Sequence, residues 1–208
     1  MVFYQEGTLR FSADSAFVTL ADSNTTVALS AASGHENWRL SHSSAPLVTA
    51  LSADERTLFV LSGIFLRPGF APTLVALDTN SGEQRWEVNP TAGTGRNIVG
   101  GLSSAAGDSV LLLSGQGMGA NALLALDTRT GTGTAWSLGT DLEETLVAVT
   151  PLLVGDLDGG KNIFACAYRV TGGGTGAVQT LYALDRSTGT SKPTVVSLSC
   201  SCCRRTQS

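Results

Sequence analysis

The residues best suited to binding an ion lie in one segment, residues 155–162. Asp156 and Asp158 are separated by one residue and followed by a glycine, and Asn162 lies four residues further along. Carboxylates on alternate residues of a loop can converge on one calcium ion, and a glycine permits the sharp bend that this requires. The same residue types also suit a polar turn between two strands. We prefer the turn, with a calcium site at Asp156, Asp158 and Asn162 as the alternative.

A second candidate site is an apolar segment with one arginine, residues 62–72. Phe65 and Phe70 flank Arg67 within it. Aromatic and arginine side chains are the anchors that contribute most to protein interfaces. The same side chains could instead pack onto their own sheet, which is the other interpretation. Phe65, Arg67 and Phe70 are therefore a candidate binding surface for a protein partner.

The remaining reactive residue types do not make a complete catalytic constellation. His35 and His42 flank Trp38 without a related serine or carboxylate, and we interpret them as surface residues. Three of the four cysteines are crowded into residues 200–203, which suits neither a disulfide framework nor paired metal ligands. No catalytic residue is predicted.

Charge and composition restrict the class of protein. The net charge is −4, with 13 basic residues among 208, so there is no basic surface for nucleic acid. Hydrophobic residues make up 42% of the chain and 24 residues are glycine, which favours a core of many short strands joined by tight turns. No apolar run is long enough to cross a bilayer, and the start lacks the layout of a signal peptide.

A sequence repeat that occurs four times forms the framework that must position these candidate sites. Its leucine recurs at positions 29, 77, 126 and 184, so successive copies are 48, 49 and 58 residues apart. This spacing is near the length of one four-stranded propeller blade. The copies are Ala28–Gly34, Ala76–Gly82, Ala125–Gly131 and Ala183–Gly189.

Each copy has the composition of a β-hairpin turn. An aspartate can accept hydrogen bonds from backbone N–H groups of the turn, and a glycine supplies the positive φ. A tryptophan on the outgoing strand can pack against a neighbouring blade. Ser30 replaces the aspartate in the first copy, and Pro193 replaces the tryptophan in the last. The structural residues predicted by this pattern are Gly34, Trp38, Asp78, Gly82, Trp86, Asp127, Gly131, Trp136, Asp185 and Gly189.

Apolar runs before each turn supply the other strands of each blade. We predict one propeller domain in residues 1–198, followed by a disordered or aberrant tail at 199–208. Within the domain, a partial blade is expected at 1–42 and further blades at 44–89, 95–139 and 146–197.

The pattern Ala-Leu-Asp-x-x-Ser/Thr-Gly-x-x-x-Trp resembles the repeat of the pyrroloquinoline-quinone-like (PQQ-like) propellers, the quinoprotein alcohol dehydrogenase-like family. The resemblance implies an all-β propeller of four-stranded blades. Because propellers of this family usually close with more than four blades, it also implies an incomplete propeller. Residues 155–162 in addition resemble the loop of FG-GAP repeats, except that the third carboxylate of that loop is missing.

These observations predict a non-catalytic propeller scaffold that presents a protein- or ligand-binding surface. Two alternatives stay open: a fragment of a PQQ-dependent dehydrogenase that lacks its active-site blades, and an extracellular or membrane-anchored, calcium-stabilised FG-GAP-like propeller. We expect a protein partner, no nucleic acid, and self-association as one way to complete the propeller. No PQQ or other cofactor is expected, and calcium stays open. The compartment is not determined, although the resemblance favours an extracytoplasmic or secreted protein if the N-terminus is truncated.

Overall fold

The computed structural model describes only part of the chain, and all regular structure within that part is β-strand. The strands form four antiparallel sheets that follow one another along the sequence. This arrangement confirms the predicted all-β fold. None of the residues described forms a helix long and apolar enough to span a membrane. The described residues are 8–63, 72–90, 97–104, 110–117, 120–137, 146–150, 162–171, 176–185, 188, 191–192 and 198–199.

The first sheet is a four-stranded meander that corrects one expectation from the sequence. Residues 1–42 were expected to hold only part of a blade, but this region contains four paired strands. The first of them has three residues, too few to show a period in the sequence. The strands are β1 (Leu9–Phe11), β2 (Ser15–Leu20), β3 (Thr25–Ser30) and β4 (Glu36–Ser41).

The second and third sheets repeat the same order of four strands. The second contains β5 (Pro46–Leu51), β6 (Thr57–Ser62), β7 (Thr73–Asp78) and β8 (Gln84–Val88). The third contains β9 (Asn97–Ser104), β10 (Val110–Gly117), β11 (Ala120–Asp127) and β12 (Gly133–Ser137).

The fourth sheet has a divided outer edge. Its strand β15 pairs with β16 near the turn and with β17 towards its other end. Pro193, which has the position of the repeat tryptophan, follows β16 in the sequence and lies outside the described residues. The strands are β13 (Leu146–Thr150), β14 (Asn162–Thr171), β15 (Gly176–Asp185), β16 (Ser191–Lys192) and β17 (Leu198–Ser199).

Both faces of the second sheet are apolar and buried. Side chains alternate between the faces of a strand, so a continuous apolar run places buried residues on each face. The face towards the third sheet, where it meets Leu102 and Leu126, carries Phe59, Leu61, Leu74 and Ala76. The face towards the first sheet, where it meets Phe17, Ala28 and Trp38, carries Leu58, Val60, Val75 and Leu77. The sheets therefore stack face to face, as propeller blades do.

Each sheet has a turn end, which we define as the end where its first and second strands, and its third and fourth strands, are connected. Backbone hydrogen bonds join these connections: the N–H of Ala31 donates to the carbonyl of Asp14, and the N–H of Thr79 donates to that of Arg56. Asp78 lies at the turn end. β6 ends and β7 begins at the opposite end of the second sheet, and residues 63–72 connect these two strands in the sequence.

Candidate functional site

The Asp78 turn is built by a network of short hydrogen bonds. The Oδ1 atom of Asp78 accepts from the backbone N–H groups of Asn80 at 2.9 Å and Ser81 at 3.0 Å. Its Oδ2 atom lies 2.6 Å from Nη2 of Arg85, whose Nη1 atom donates to Oγ1 of Thr57. The side chain therefore caps the turn and joins it to the neighbouring strands.

The other copies use the same geometry with different numbers of bonds. Asp127 accepts from the N–H groups of Arg129 at 2.9 Å and Thr130 at 3.0 Å. Asp185 accepts from the N–H of Thr188 at 3.0 Å. In the first copy, Oγ of Ser30 accepts from the N–H of Ser33 at 3.4 Å. Ser30 thus provides a longer and weaker cap than the aspartates do.

The electrostatics of these turns keep the carboxylates ionised. The hydrogen bond from Arg85, followed by that from the Ser81 backbone, lowers the pKa of Asp78 to about 2. Burial by itself would raise the pKa of Asp127, but hydrogen bonds from the Arg129 and Thr130 backbone outweigh it and lower that pKa. A carboxylate held in its charged form by such donors is a fixed acceptor rather than a group that exchanges protons near neutral pH.

Tryptophans connect successive sheets at these turns. The indole Nε1 of Trp38 in the first sheet donates to the carbonyl of Thr79 in the second, at 2.9 Å. The indole Nε1 of Trp86 in the second sheet donates to the carbonyl of Thr128 in the third, also at 2.9 Å. The accepting residue follows the turn aspartate in both cases. The same contact is therefore made twice between different pairs of blades.

Each indole ring is fixed from two sides. Within its own sheet, Trp38 lies against Phe17, with ring centroids 5.9 Å apart. On the next sheet it covers Gly82, which has φ +74° and whose added Cβ atom would be 2.6 Å from the ring. Trp86 covers Gly131 in the same way. Gly131 has φ +70°, and its added Cβ atom would be 2.9 Å from the Trp86 ring. Glycine is needed at both positions for its positive φ and for the close approach of the indole ring.

Polar contacts near the first strands add to the junction of the first two sheets. Thr8 Oγ1 lies 2.6 Å from Thr19 Oγ1 and 2.9 Å from Thr49 Oγ1. Arg10 donates through Nε to the carbonyl of Thr49 at 2.9 Å. At the turn end, the N–H of Ala13 donates to Oε2 of Glu55 at 2.9 Å. The blades are thus joined at their inner and outer strands.

The candidate ligand-binding residues fall almost wholly outside the described part. Asp156 and Asp158 are not described, and Asn162 is the first residue of β14. Phe65, Arg67 and Phe70 also lie outside it. Both sites therefore remain predictions.

Two residues of the predicted repeat set are described incompletely. Gly189 lies outside the described residues, and only the backbone of Trp136 is described. Trp136 pairs with Leu123, whereas Trp38 and Trp86 pair with Ala28 and Ala76, the alanines of the repeat. A register shift lies beside Ala28 and beside Ala76, and β12 pairs without one. The third tryptophan is thus displaced along its strand.

Sequence reasoning missed the role of His42. It was interpreted as a surface residue, but it is half-buried and its Nε2 lies 2.7 Å from Oγ1 of Thr26. Burial lowers the pKa of His42, so the ring is neutral near neutral pH. His35, by contrast, is exposed. Within the described ranges, no group of three or more His, Cys, Asp and Glu residues could hold a metal ion.

Comparison with known proteins gives a family and a fold. Residues 5–192 match the sequence model of a PQQ-like repeat family described as outer membrane protein assembly factor BamB. Hydrazine synthase from Kuenenia stuttgartiensis has a similar structure, with a TM-score of 0.61 and 14% identity over 90% of this chain and 47% of that one. No curated protein sequence matches the chain.

Enzymes and other propellers share this fold. Quinohemoprotein alcohol dehydrogenase from Comamonas testosteroni aligns with a TM-score of 0.58 and 14% identity, over 90% of this chain and 34% of that one. The β-propeller domain of Cps50 (Swd1) from Myceliophteria thermophila aligns with a TM-score of 0.56 and 11% identity, over 96% and 72%. The chain spans less than half the length of the hydrazine synthase or dehydrogenase chains. At these identities the similarity concerns the fold alone.

Proposed function

This chain belongs to the PQQ-like propeller family described as outer membrane protein assembly factor BamB, and from that premise we propose that it is a non-catalytic scaffold that binds a protein partner. The observation that carries the proposal is the use of the turn carboxylates. Asp78 and Asp127 are ionised and accept hydrogen bonds that hold their turns in place. Both carboxylates therefore hold their turns in place rather than exchange protons near neutral pH.

PQQ-dependent oxidation requires more than the described residues supply. Such an enzyme needs a calcium ion held by several side chains, a base, and groups that clamp the cofactor. The described part of the chain has no group of acidic and histidine residues able to hold a metal. Our proposal accordingly assigns no cofactor to the described residues.

The binding surface that we propose for the partner is the segment with Phe65, Arg67 and Phe70. An arginine between two aromatic residues has the composition of an interface anchor. This segment joins the end of β6 to the start of β7. Both of these strand ends lie at the end of the sheet opposite the hydrogen-bonded Asp78 turn. A partner bound there would leave the tryptophan contacts between blades undisturbed.

Site-specific crosslinking tests this proposal. A photoreactive amino acid would replace Arg67 in one variant and Glu87, an exposed residue of β8, in a matched control. After illumination in extracts of the source cells, we expect a discrete protein adduct at position 67 and none at position 87. Phe65→Ala with Phe70→Ala should abolish the adduct while the melting temperature stays unchanged. Equal labelling at both positions, or no adduct at position 67, would contradict the proposal.

A cofactor titration separates this proposal from the dehydrogenase alternative. PQQ with calcium would be added to the full chain while tryptophan fluorescence and reduction of an electron-accepting dye are followed. The scaffold proposal predicts no saturable quenching and no dye reduction with primary alcohols. Saturable binding together with dye reduction would overturn it.

A further inference from the structure

His42 begins the connection that carries the chain from the first sheet to the second. This connection, residues 42–45, joins the end of β4 to the start of β5. The main-chain N–H of His42 donates to the carbonyl of Asn24 at 2.6 Å, and its ring Nε2 lies 2.7 Å from Oγ1 of Thr26. We call these two contacts the His42 clasp. They hold both the backbone and the ring of His42 against the start of β3.

The second sheet fixes the other end of the same connection. The main-chain N–H of Gly63, directly after β6, donates to the carbonyl of Ala45 at 3.2 Å. Displacement of the connection would therefore free two main-chain N–H groups, those of His42 and Gly63. These two groups report whether the connection is in place.

The ring of His42 lies on the face of the first sheet that packs on the second. Its partner Thr26 is fully buried and pairs with Leu40, which packs against the core shared by the two sheets. His42 itself is half-buried. A positive charge on this ring would lose part of its hydration, and that loss costs free energy unless an anion replaces the water.

The second sheet offers the ring no buried anion among its described residues. Its face towards the first sheet is the apolar core, with Glu87 at the edge, because Glu87 pairs with Val75 of that core. Glu87 is exposed, so water screens its charge. Asp78 and Arg85 bond each other at the turn end, whereas β4 leads into His42 at the opposite end.

The charged groups of the first sheet also lie away from the ring. Arg39 alternates with Leu40 to the other face of β4, where it forms an ion pair with Glu36. Asp22 is exposed in the connection between β2 and β3. Arg10 belongs to β1, at the opposite edge of the sheet from β4. Within the described part of the chain, none of these groups bonds the His42 ring.

This environment makes the clasp sensitive to acid. Burial lowers the pKa of His42 from its ordinary value of 6.5. A ring released into water regains the ordinary value, so the released form binds a proton more readily than the clasped form. The clasp therefore contributes its full stabilisation above pH 6.5, and this contribution declines as the pH falls below that value.

We propose that the His42 clasp is a pH-sensitive switch that holds residues 42–45 in place at neutral pH and releases them in mild acid. The Trp38 indole and the Thr79 carbonyl, which join the same two blades at the turn end, contain no group that titrates in this range. The first two blades therefore stay joined there while the connection opens. The switch does not depend on what binds to the segment with Phe65.

Nuclear magnetic resonance of the full chain tests the switch directly. The chain has two histidines, so the ring titrations of His35 and His42 can be followed separately. We expect the His42 ring to titrate below 6.5. The exchange protection of the His42 and Gly63 amides should fall between about pH 8 and about pH 5, tenfold for each unit by which the pKa of the clasped ring is lowered. The Trp38 indole N–H should stay protected.

Matched variants separate the switch from a general effect of acid. His42→Gln can still bond Thr26 but never carries a charge, so the protection of both amides should become independent of pH in this range. His35→Gln, at the exposed histidine, should leave the response of the original chain unchanged. Thr26→Val removes the hydroxyl and should lower the protection of both amides already at neutral pH.

Three results would overturn the proposal. The first is a His42 ring that titrates at or above 6.5 in the original chain. The second is equal protection of the His42 and Gly63 amides at both ends of the pH range. The third is a response to acid that persists unchanged in His42→Gln.

Discussion

A comparison of Gly34 and Gly82 can measure how much of the free energy of unfolding depends on a glycine beneath the tryptophan ring. Both have positive φ, at +72° and +74°, and they close equivalent turns of the first and second blades. They differ in one respect: the Trp38 ring covers Gly82, and nothing lies within 4 Å of a Cβ atom placed on Gly34. Comparing Gly34→Ala with Gly82→Ala therefore isolates the collision with the ring from the backbone strain.

The expected free-energy changes follow from this geometry. Alanine at positive φ costs about 1 kcal/mol at either position. Any gain from a less flexible unfolded chain is common to both and cancels in the comparison. At Gly82 the new methyl group would lie 2.6 Å from Trp38, well inside carbon contact distance. Overpacking of this kind adds about 1 to 3 kcal/mol. Moving the ring away would weaken its hydrogen bond to Thr79.

Urea unfolding followed by tryptophan fluorescence measures both variants under the same conditions. We expect Gly82→Ala to be about 1 to 3 kcal/mol less stable than Gly34→Ala. Gly82→Ala should also red-shift the native emission, because Trp38 becomes more accessible to water. Equal losses of stability in the two variants would refute the reasoning. The Trp38 ring would then tolerate a Cβ atom at position 82 without cost.

Three further perturbations probe the turns and the indole bonds. Trp86→Phe keeps a ring but removes the donor to the Thr128 carbonyl, and should cost about 1 to 3 kcal/mol in urea unfolding. Ser30→Asp should stabilise the chain by about 0.5 to 1.5 kcal/mol, because an aspartate can accept shorter bonds from its turn. The pKa of Asp78 is lowered from 3.8 to about 2, so its stabilisation is present above pH 4 and lost as pH falls towards 2. Asp78→Asn should flatten that part of the pH–stability profile.

Each of these predictions has a result that would contradict it. A Trp86→Phe variant as stable as the original chain would mean that the indole N–H contributes nothing. A destabilising Ser30→Asp would show that the first turn cannot accept the aspartate geometry. An acid profile identical in Asp78→Asn and the original chain would assign the acid-induced loss of stability to other carboxylates. Asn80→Asp, at an exposed neighbouring residue of the turn, is the control for charge alone.

The sequence was sufficient to predict the propeller, because its repeat fixes a local structure. An aspartate followed by a hydroxyl residue and a glycine specifies a turn, and apolar runs specify strands buried on both faces. The first blade was harder to recognise because β1 has only three residues. In the fourth sheet, β15 pairs with both β16 and β17, and the sequence pattern gave no indication of this second pairing.

The contacts between blades could be predicted only in part. A tryptophan on an outer strand suggested packing on a neighbour, but its hydrogen-bond acceptor is a backbone carbonyl, which any residue type provides. The hydroxyls of Thr8, Thr19 and Thr49 contact one another only in the folded chain. These residues are too far apart in sequence for a local pattern to predict the contact. His42 was misjudged for a similar reason, since its partner Thr26 is 16 residues away.

A double-mutant cycle between Trp38 and Gly82 tests the central claim, that the first and second blades are each held by a tryptophan docked on the turn glycine of the next blade. The stabilities of Trp38→Ala, Gly82→Ala, and the double variant would be compared with the original chain. We predict that Gly82→Ala costs about 1 kcal/mol once the ring is absent, against about 2 to 4 kcal/mol when it is present. An additive cycle, with the same cost in both backgrounds, would contradict the account.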